Sequence, residues 1–216
     1  MTLTPTFARR VLAAAAGLAL VAALAGCVSL FPKAKPAQLY RFTPQMTATQ
    51  SPDGSRIPIS LSAVDFTAGA AGDRMLTMSG DEAAYIEGAR WVSTAQSQFE
   101  EAVDKAFEDG AQSTRIVERR QSASAKMVMN LSVETFEARY DNGPKSAPKV
   151  VVVVRAQLIR FPDRAVVGED LFRSEQTAGD NRVSAIVQAY NAAVTAVLKD
   201  LTAWTDRKAT ANATAG

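Results

Sequence analysis

The chain has one thiol that could do chemistry. Cys27 is the only cysteine of the 216-residue chain, and it ends the apolar stretch GLALVAALAGC. A lone cysteine cannot form a disulfide within its own chain. Its thiol could be a reactive group, an intermolecular bridge or a site of covalent modification. The residues before Cys27 distinguish among these roles.

The segment that precedes Cys27 has the layout of a secretory signal peptide. Arg9 and Arg10 form a positive start, and residues 11–23 are an apolar run that small residues close. A run of 13 residues is too short for a membrane-spanning helix, which needs roughly 20. We therefore expect residues 1–26 to be a signal peptide. An N-terminal membrane anchor is the alternative.

The residues at the end of this segment predict a role for the cysteine. Leu24-Ala25-Gly26-Cys27 resembles a bacterial lipobox, and it falls where the apolar run ends. In lipobox signals the chain is cut before the cysteine, its thiol is linked to diacylglycerol, and the new amine is usually acylated. We expect Cys27 to be a lipidation site. An ordinary secreted protein with an incidental cysteine is the alternative.

Other chemistry has little support in the sequence. The chain has no histidine, which removes the commonest general base and the commonest metal ligand. With Cys27 lipidated, a zinc site of the usual Cys/His kind cannot be assembled. No glycine-rich phosphate loop is present, and no motif selects a carboxylate pair or a Ser-Lys dyad. We expect no catalytic residue, metal ligand or cofactor, so a periplasmic hydrolase is an unlikely alternative by composition.

Charge gives no support for a nucleic-acid partner. The chain has 24 basic and 22 acidic residues, and the signal peptide holds two of the basic ones, Arg9 and Arg10. The mature chain is therefore formally neutral before its amine is acylated. Nucleic-acid-binding domains usually carry a basic patch and a high pI, so we expect no nucleic-acid partner.

The mature chain divides into three segments. Residues 27–36 contain two prolines and two lysines, which predicts a short extended tether. Residues 37–208 are long enough for one domain with its own core. Residues 209–216 are small and polar, which predicts a disordered tail.

Hydrophobic alternation predicts a sheet. The valine run 150–154 predicts a central strand covered on both faces, and a change of parity near Glu134-Thr135 predicts a bulge. Short turns between the last three strands favour a largely antiparallel sheet. The polar stretch 114–126 has no clear pattern. Strands are predicted at residues 38–42, 57–66, 74–79, 84–90, 127–140, 150–160 and 165–177.

Two segments have the period of amphipathic helices. Residues 94–109 place Phe99, Val103 and Phe107 on one face, with Ser93 or Thr94 as the cap. Trp91 precedes this helix, and we expect these four large apolar residues to form one packed cluster. The second helix is predicted at residues 182–206. The predicted fold class is α/β (α+β), a largely antiparallel sheet with two main helices packed on one face in a single domain.

The order of these features resembles that of a known protein family. The resemblance extends from about residue 37 to residue 206. After the lipobox and the proline-containing tether come a Tyr-containing strand, Val64-Asp65-Phe66, and Arg90-Trp91 before a helix. Leu131-Ser132-Val133-Glu134-Thr135-Phe136-Glu137, the valine strand and an Ala-rich helix ending near Trp204 follow. The chain resembles the auxiliary lipoproteins of MCE-type ABC transport systems, the paraquat-inducible protein C type.

The resemblance implies a function without catalysis. It implies a lipid-anchored subunit at the periplasmic face of the outer membrane, the inner membrane being the alternative location. Its partners would be a periplasmic MCE-domain protein and the associated ABC permease and ATPase. The transported cargo would be lipids or other hydrophobic molecules moving between the two membranes. Among functional positions, only Cys27 carries over from the family.

A self-contained lipid carrier is the main alternative function. Such a carrier needs an unfilled interior lined by aliphatic side chains, and a void above about 300 Å³ would favour it. The nine Phe and two Trp residues of the chain favour a filled core equally well.

Overall fold

The computed structural model describes residues 36–47 and 56–213, apart from the side chain of residue 119. The signal peptide, Cys27 and most of the tether predicted from the sequence lie outside the described residues. From Ala37 onward the described chain forms one compact unit. Its strands are β1 (Gln38–Tyr40), β2 (Ile57–Leu61), β3 (Asp65–Phe66), β4 (Arg74–Ser79), β5 (Glu82–Trp91), β6 (Thr114–Val117), β7 (Met127–Arg139), β8 (Lys149–Arg160) and β9 (Val166–Thr177). Its helices are α1 (Ala68–Ala71), α2 (Ala95–Asp109) and α3 (Val183–Ala213), with a 3-10 segment at Arg119–Ser124.

Strand β7 is the centre of one open, mixed sheet. The antiparallel strands β7, β8 and β9 follow each other in space as they do in sequence, and they hold the longest pairings. On its other side β7 pairs in parallel with the short strands β2, β3 and β4. Strands β5 and β1 continue the sheet beyond β4, and β6 continues it beyond β2. The predicted α/β fold with a largely antiparallel sheet is confirmed. The sheet also contains short parallel strand pairs.

The predicted bulge in β7 is confirmed. The register between β7 and β8 shifts between Val133 and Thr135, so Glu134 is the extra residue. Val133 before the shift and Phe136 after it are both buried. The bulge therefore keeps apolar side chains on the core face although their parity in the sequence changes.

Strand β8 is covered on both faces by different kinds of side chain. Val150, Val152 and Val154 belong to the core beneath the helices. Val151 and Val153 point to the other face and are also buried. On that face Val151 lies between Glu137 of β7 and Glu175 of β9 in the sheet register. Long charged side chains can cover apolar surface with their stems, so this face is closed by ion-paired residues.

Ion pairs cross the strands on the charged face. Lys149 Nζ lies 2.9 Å from Glu175 Oε2, and Arg155 Nε lies 2.6 Å from Glu134 Oε1. Glu175 also accepts from Arg173. The Lys149 ammonium and then the Arg173 guanidinium lower the pKa of Glu175 to about 2.

Helix α2 packs as its apolar spacing predicts. Thr94 Oγ1 accepts the Ser97 N–H at 3.1 Å and caps the first turn. Phe99, Val103 and Phe107 are fully buried. They belong with Trp91 to a single core cluster. The predicted cluster is confirmed, and this face of α2 is not available to a partner.

An aromatic group connects the sheet with α3. The ring centroids of Phe136 and Tyr190 are 4.7 Å apart, and those of Trp91 and Tyr190 are 5.2 Å apart with perpendicular rings. Phe42 packs edge-on against Trp91 at 5.3 Å. The Tyr190 hydroxyl is buried without a hydrogen-bond partner among the described residues. Burial also raises the pKa of Tyr190 above its ordinary value.

Helix α3 is longer than predicted. It continues through Ala213, and Ala209 is fully buried in the core. The prediction of a disordered tail at residues 209–216 is therefore wrong for residues 209–213, while residues 214–216 lie outside the described residues. Small polar composition suggested disorder, but alanine has the highest helix propensity, and a helix already packed on a sheet extends easily.

The remaining differences concern short strands. The predicted strand at residues 57–66 is interrupted, so β2 and β3 pair separately with β7. The polar stretch 114–126 contains β6 and the 3-10 segment. Strand β6 pairs in parallel with β2 only over four residues, which is too short for a period to be visible in the sequence.

We expect Phe99→Ala to lower the free energy of unfolding by about 3–5 kcal/mol, because it opens a cavity in a filled core. For a domain of this size the melting temperature would fall by roughly 6–20 °C. Thermal unfolding followed by circular dichroism is the measurement. Val92→Ala is the control, since Val92 is 45% exposed. An unchanged melting temperature for Phe99→Ala would contradict the packing described here.

We expect Tyr190→Phe to keep or raise stability, by up to about 1 kcal/mol, because a buried hydroxyl without a partner is unfavourable. The ring and its aromatic contacts remain in this variant. Chemical denaturation with the two proteins side by side measures the difference. A clear loss of stability would mean that the hydroxyl is hydrogen-bonded in solution.

Candidate docking grooves

The candidate functional site of the described domain lies on its surface. Cys27, the one site residue predicted from the sequence, lies outside the described residues. Within residues 36–47 and 56–213, no group of three or more His, Cys, Asp or Glu side chains could hold a metal ion. None of the helices in that part of the chain is long and apolar enough to cross a membrane.

Two open grooves lie on the surface of the described domain. The first, called here the α3 groove, has a volume of about 930 Å³. It lies between the C-terminal half of α3, the loop that joins α2 to β6, and the segment before the first gap in the described chain. Its lining residues are Gln45, Met46, Thr47, Gly110, Gln112, Ser113, Thr195, Lys199, Thr202, Ala203, Asp206, Arg207, Thr210 and Ala211.

Asp206 fixes one wall of the α3 groove. Its carboxylate accepts the Gln112 N–H at 2.7 Å, the Ser113 N–H at 3.0 Å and the Thr114 hydroxyl at 2.7 Å. These bonds hold the loop after α2 against α3. Lys199 and Arg207 are the other charged residues of the lining, and both are exposed.

The opposite wall is the segment that follows β1. Thr43 N–H donates to Asn191 Oδ1 at 2.8 Å, and Gln45 N–H donates to Thr195 Oγ1 at 3.0 Å. Both acceptors are on α3, so the helix holds this segment by hydrogen bonds to its backbone. Met46 then reaches Gly110, where an added Cβ would come within 2.7 Å of Met46 Cε. A side chain at position 110 would therefore push Met46 aside.

The second groove, called here the α2 groove, is more acidic and has a volume of about 750 Å³. It runs along α2 beside β2 and β6. Partial burial, and then the charge of Glu100, raise the pKa of Asp104 above its ordinary value. Its charged lining residues are Arg56, Glu100, Glu101, Asp104, Lys105, Glu108, Arg115 and Glu118.

The lining of the α3 groove contains charged side chains and hydroxyl groups. Thr202 Oγ1 donates to the Lys199 carbonyl at 3.0 Å, and Thr195 Oγ1 donates to the Asn191 carbonyl at 2.7 Å. These hydroxyls are bonded to the helix backbone, an arrangement that does not activate them as nucleophiles.

Neither groove has the form expected of a lipid-carrying cavity. Both exceed the roughly 300 Å³ of a small ligand pocket, but both are open to solvent and have charged residues in their lining. The interior between the sheet and the helices is occupied by the aromatic and aliphatic core.

No sequence pattern indicated the residues that shape the α3 groove. Asp206 is one acid near the end of a helical pattern, and Met46 lies in a stretch of loop composition. Their roles depend on the loop after α2 meeting α3, with a separation of 94 residues between Gln112 and Asp206. Only the tertiary fold brings these residues together.

Solved structures with the same fold come from several bacteria. One is a Xanthomonas campestris protein of the DUF330 family, with 21% identity and a TM-score of 0.69; the match covers 82% of this chain and 99% of that one. Another is a Chlamydia trachomatis protein, with 9% identity and a TM-score of 0.51, for which the match covers 70% of this chain and 96% of the other. No match is found among curated proteins.

A family model provides the assignment that these distant structures do not. The model for the ABC-type transport auxiliary lipoprotein component matches residues 40–202. The match begins at the last residue of β1 and ends within α3, so it includes strands β2 to β9, helix α2 and the part of α3 up to Thr202. This chain belongs to the family of ABC-type transport auxiliary lipoprotein components.

Proposed function

We propose that this protein is a lipid-anchored auxiliary subunit of an MCE-type ABC transport system. In this proposal it docks the periplasmic MCE protein at the outer membrane and serves the transport of lipids or hydrophobic molecules between the two membranes. The observation that carries the proposal is the family match over residues 40–202, joined to a lipobox at residues 24–27.

The anchor follows from the chemistry of Cys27. Each buried CH₂ of an acyl chain contributes about 0.8 kcal/mol, and more than one chain gives stable attachment. Val28 follows the cysteine, in place of the aspartate associated with inner-membrane retention in enteric bacteria. This supports the outer membrane as the location.

The domain itself contributes binding and no chemistry in this proposal. Its core is filled, and hydroxyls of the α3 groove are bonded to the helix backbone. A tethered domain meets partners at the same membrane at a raised effective concentration, so a modest contact suffices. We therefore propose that the protein is not an enzyme.

We propose the α3 groove as the surface that receives the MCE protein. Its walls are fixed by hydrogen bonds to Asp206, Asn191 and Thr195, so little order has to be gained on binding. Met46 provides an adaptable apolar contact, and Lys199 and Arg207 provide charge. These features fit a partner segment that combines apolar and acidic side chains.

We expect Cys27→Ala to abolish incorporation of a labelled fatty acid and to lose function while the domain remains folded. Function is scored in a strain lacking the protein, as resistance to detergent and hydrophobic antibiotics. Circular dichroism of the variant controls for folding. Fatty-acid label retained by Cys27→Ala would contradict lipidation at this residue. Full restoration of the barrier by an unlipidated form at native abundance would instead favour a diffusible carrier.

We expect Ala203→Glu to reduce co-purification of the MCE protein by about tenfold, because it places a charge in the α3 groove between apolar contacts. Ala203 is exposed, so the fold should tolerate the change. Ala192→Glu is the matched control, because it is an exposed alanine of the same helix outside the groove lining. Equal co-purification of the two variants would exclude the α3 groove as the docking surface.

A further inference from the structure

One face of the sheet carries an apolar patch beside the turn between β8 and β9. Val128 of β7 lies opposite Ile159 of β8, and Ile159 lies opposite Val166 of β9. Phe161 follows Ile159 by two residues and therefore extends the same face. Phe161 is 48% exposed and Val166 is 56% exposed, whereas Val128 and Ile159 are half-buried. These four residues are called here the hairpin patch.

The hairpin patch lies on the face of the sheet that points away from the core. Met127, Met129 and Leu158 alternate with patch residues along β7 and β8, and they belong to the core beneath the helices. The four patch residues neither belong to that core nor pack against it. Farther along the same face, ion pairs such as Arg155–Glu134 cover the strands. The patch is therefore an apolar area at one end of a charged face.

Two cations border the hairpin patch. Lys126 lies beside Phe161, whose N–H donates to the Lys126 carbonyl at 2.9 Å, and Arg164 lies in the turn itself. Neither of these two side chains makes an ion pair with the described part of the chain. In contrast, Arg160 Nη2 lies 2.6 Å from Asp163 Oδ2, and this pair holds the turn together. A partner that covers the patch therefore meets two positive charges that are not neutralised within the domain.

The backbone of the turn is strained at Arg164. Its φ is +57°, a conformation that is uncommon for residues other than glycine. Strain of this kind persists where the surrounding structure fixes it, and it is frequent at binding sites. The Arg160 N–H donates to the Ala165 carbonyl at 2.9 Å and closes the turn around Arg164. Glycine would adopt this φ without strain, so the turn itself does not require an arginine.

The chain enters the domain from the other end of the sheet. Strand β1 runs parallel to β5, which starts at its turn with β4, so β1 is entered from the side of the β4–β5 turn. Through the pairings of β5 with β4 and of β4 with β7, Gln38 lies at about the height of Thr135 in β7. Val128 lies seven residues earlier in β7. At about 3.3 Å per residue, and with one bulged residue between them, the two heights differ by roughly 20 Å.

The length of the tether limits what the hairpin patch can meet. Residues 28–36 separate Cys27 from Ala37, and even a fully extended chain of this length spans only about 35 Å. To bring the patch to the membrane that holds Cys27, the tether would have to turn back and run beside the sheet past Phe161. That path would use most of its length. The shorter path leaves the patch directed away from the anchoring membrane.

We propose that the hairpin patch is a second contact with the periplasmic MCE protein, at the end of the domain that faces away from the anchoring membrane. This inference rests on the proposed function. Exposed aromatic and basic side chains also suit a lipid surface, and the position of the patch favours the protein partner over lipid. The matching partner surface has an apolar pocket for Phe161 and acidic side chains near Lys126 and Arg164.

The α3 groove lies at the same end of the sheet. Gln112 and Ser113 of its lining lead into β6, whose first residue Thr114 lies opposite Ile57 at the start of β2. Strand β2 in turn pairs with the first residues of β7, beginning at Met127. The groove is on the helix side of the sheet and the hairpin patch is on the other side. A partner that reaches this end from across the periplasm can contact both surfaces.

Energy transfer to the membrane tests the orientation. In the acylated protein the Cys27 thiol is occupied by lipid, so an introduced cysteine is the one free thiol for a dye. The protein is placed in phosphatidylethanolamine–phosphatidylglycerol vesicles that contain an acceptor-labelled headgroup. Val166→Cys should show about threefold less transfer than Asp81→Cys in the β4–β5 turn, because the two positions are roughly 40 Å apart along the sheet. Stronger transfer at Val166 would place the patch on lipid and overturn the proposal.

Co-purification with the full-length, detergent-extracted lipoprotein tests the contact. Phe161→Ser should recover about tenfold less MCE protein, because an aromatic anchor is lost. Leu171→Ser is the matched control, since Leu171 is 46% exposed on the same face beside Arg155, outside the patch. Equal recovery by these two variants, with the wild type positive, would overturn the hairpin patch alone. No recovery by the wild type would overturn the proposed function as well.

Arg164→Gly separates binding from folding. This variant should keep or raise the melting temperature, because glycine adopts a φ of +57° without strain. It should nevertheless recover about threefold less MCE protein, because a charge beside the patch is lost. Circular dichroism and co-purification are measured on the same preparation. Recovery equal to that of the wild type would contradict a partner surface with acidic side chains at this position.

Discussion

The bulge at Glu134 is the local feature on which the arrangement of the domain depends. One extra residue in β7 lets Val133 and Phe136 both face the core. Phe136 then packs against Tyr190 of α3 and near Trp91 at the end of β5. Without the extra residue, the ring would point to the charged face of the sheet. The sheet would then lose the ring that packs against Tyr190 of α3.

Periodicity in the sequence predicted the long elements because each of them buries one face. The apolar stripes of α2 and α3, the valine run of β8 and the parity change in β7 all have a direct structural counterpart. The short strands β2, β3 and β6 were harder, since two to five residues carry little periodic signal. Their parallel pairing with β7 and with each other is decided by tertiary packing.

The candidate site was much less predictable than the fold. A lipobox is a contiguous motif, so the sequence alone predicts Cys27 as a lipidation site. A groove is formed by residues that are distant in the chain, such as Met46, Gln112 and Asp206. Asp206 also looked like a solvent-exposed acid at the end of a helix, whereas its carboxylate bonds three donors of another segment.

Helix α3 connects the core of the domain with the α3 groove. Its buried face covers β8 and β9, and Trp204 lies so close to β9 that an added Cβ at Gly168 would be 2.9 Å from the indole ring. Its C-terminal half also forms the α3 groove through Lys199, Ala203 and Asp206. The same helix therefore packs on the sheet with one side and shapes the groove with its C-terminal half.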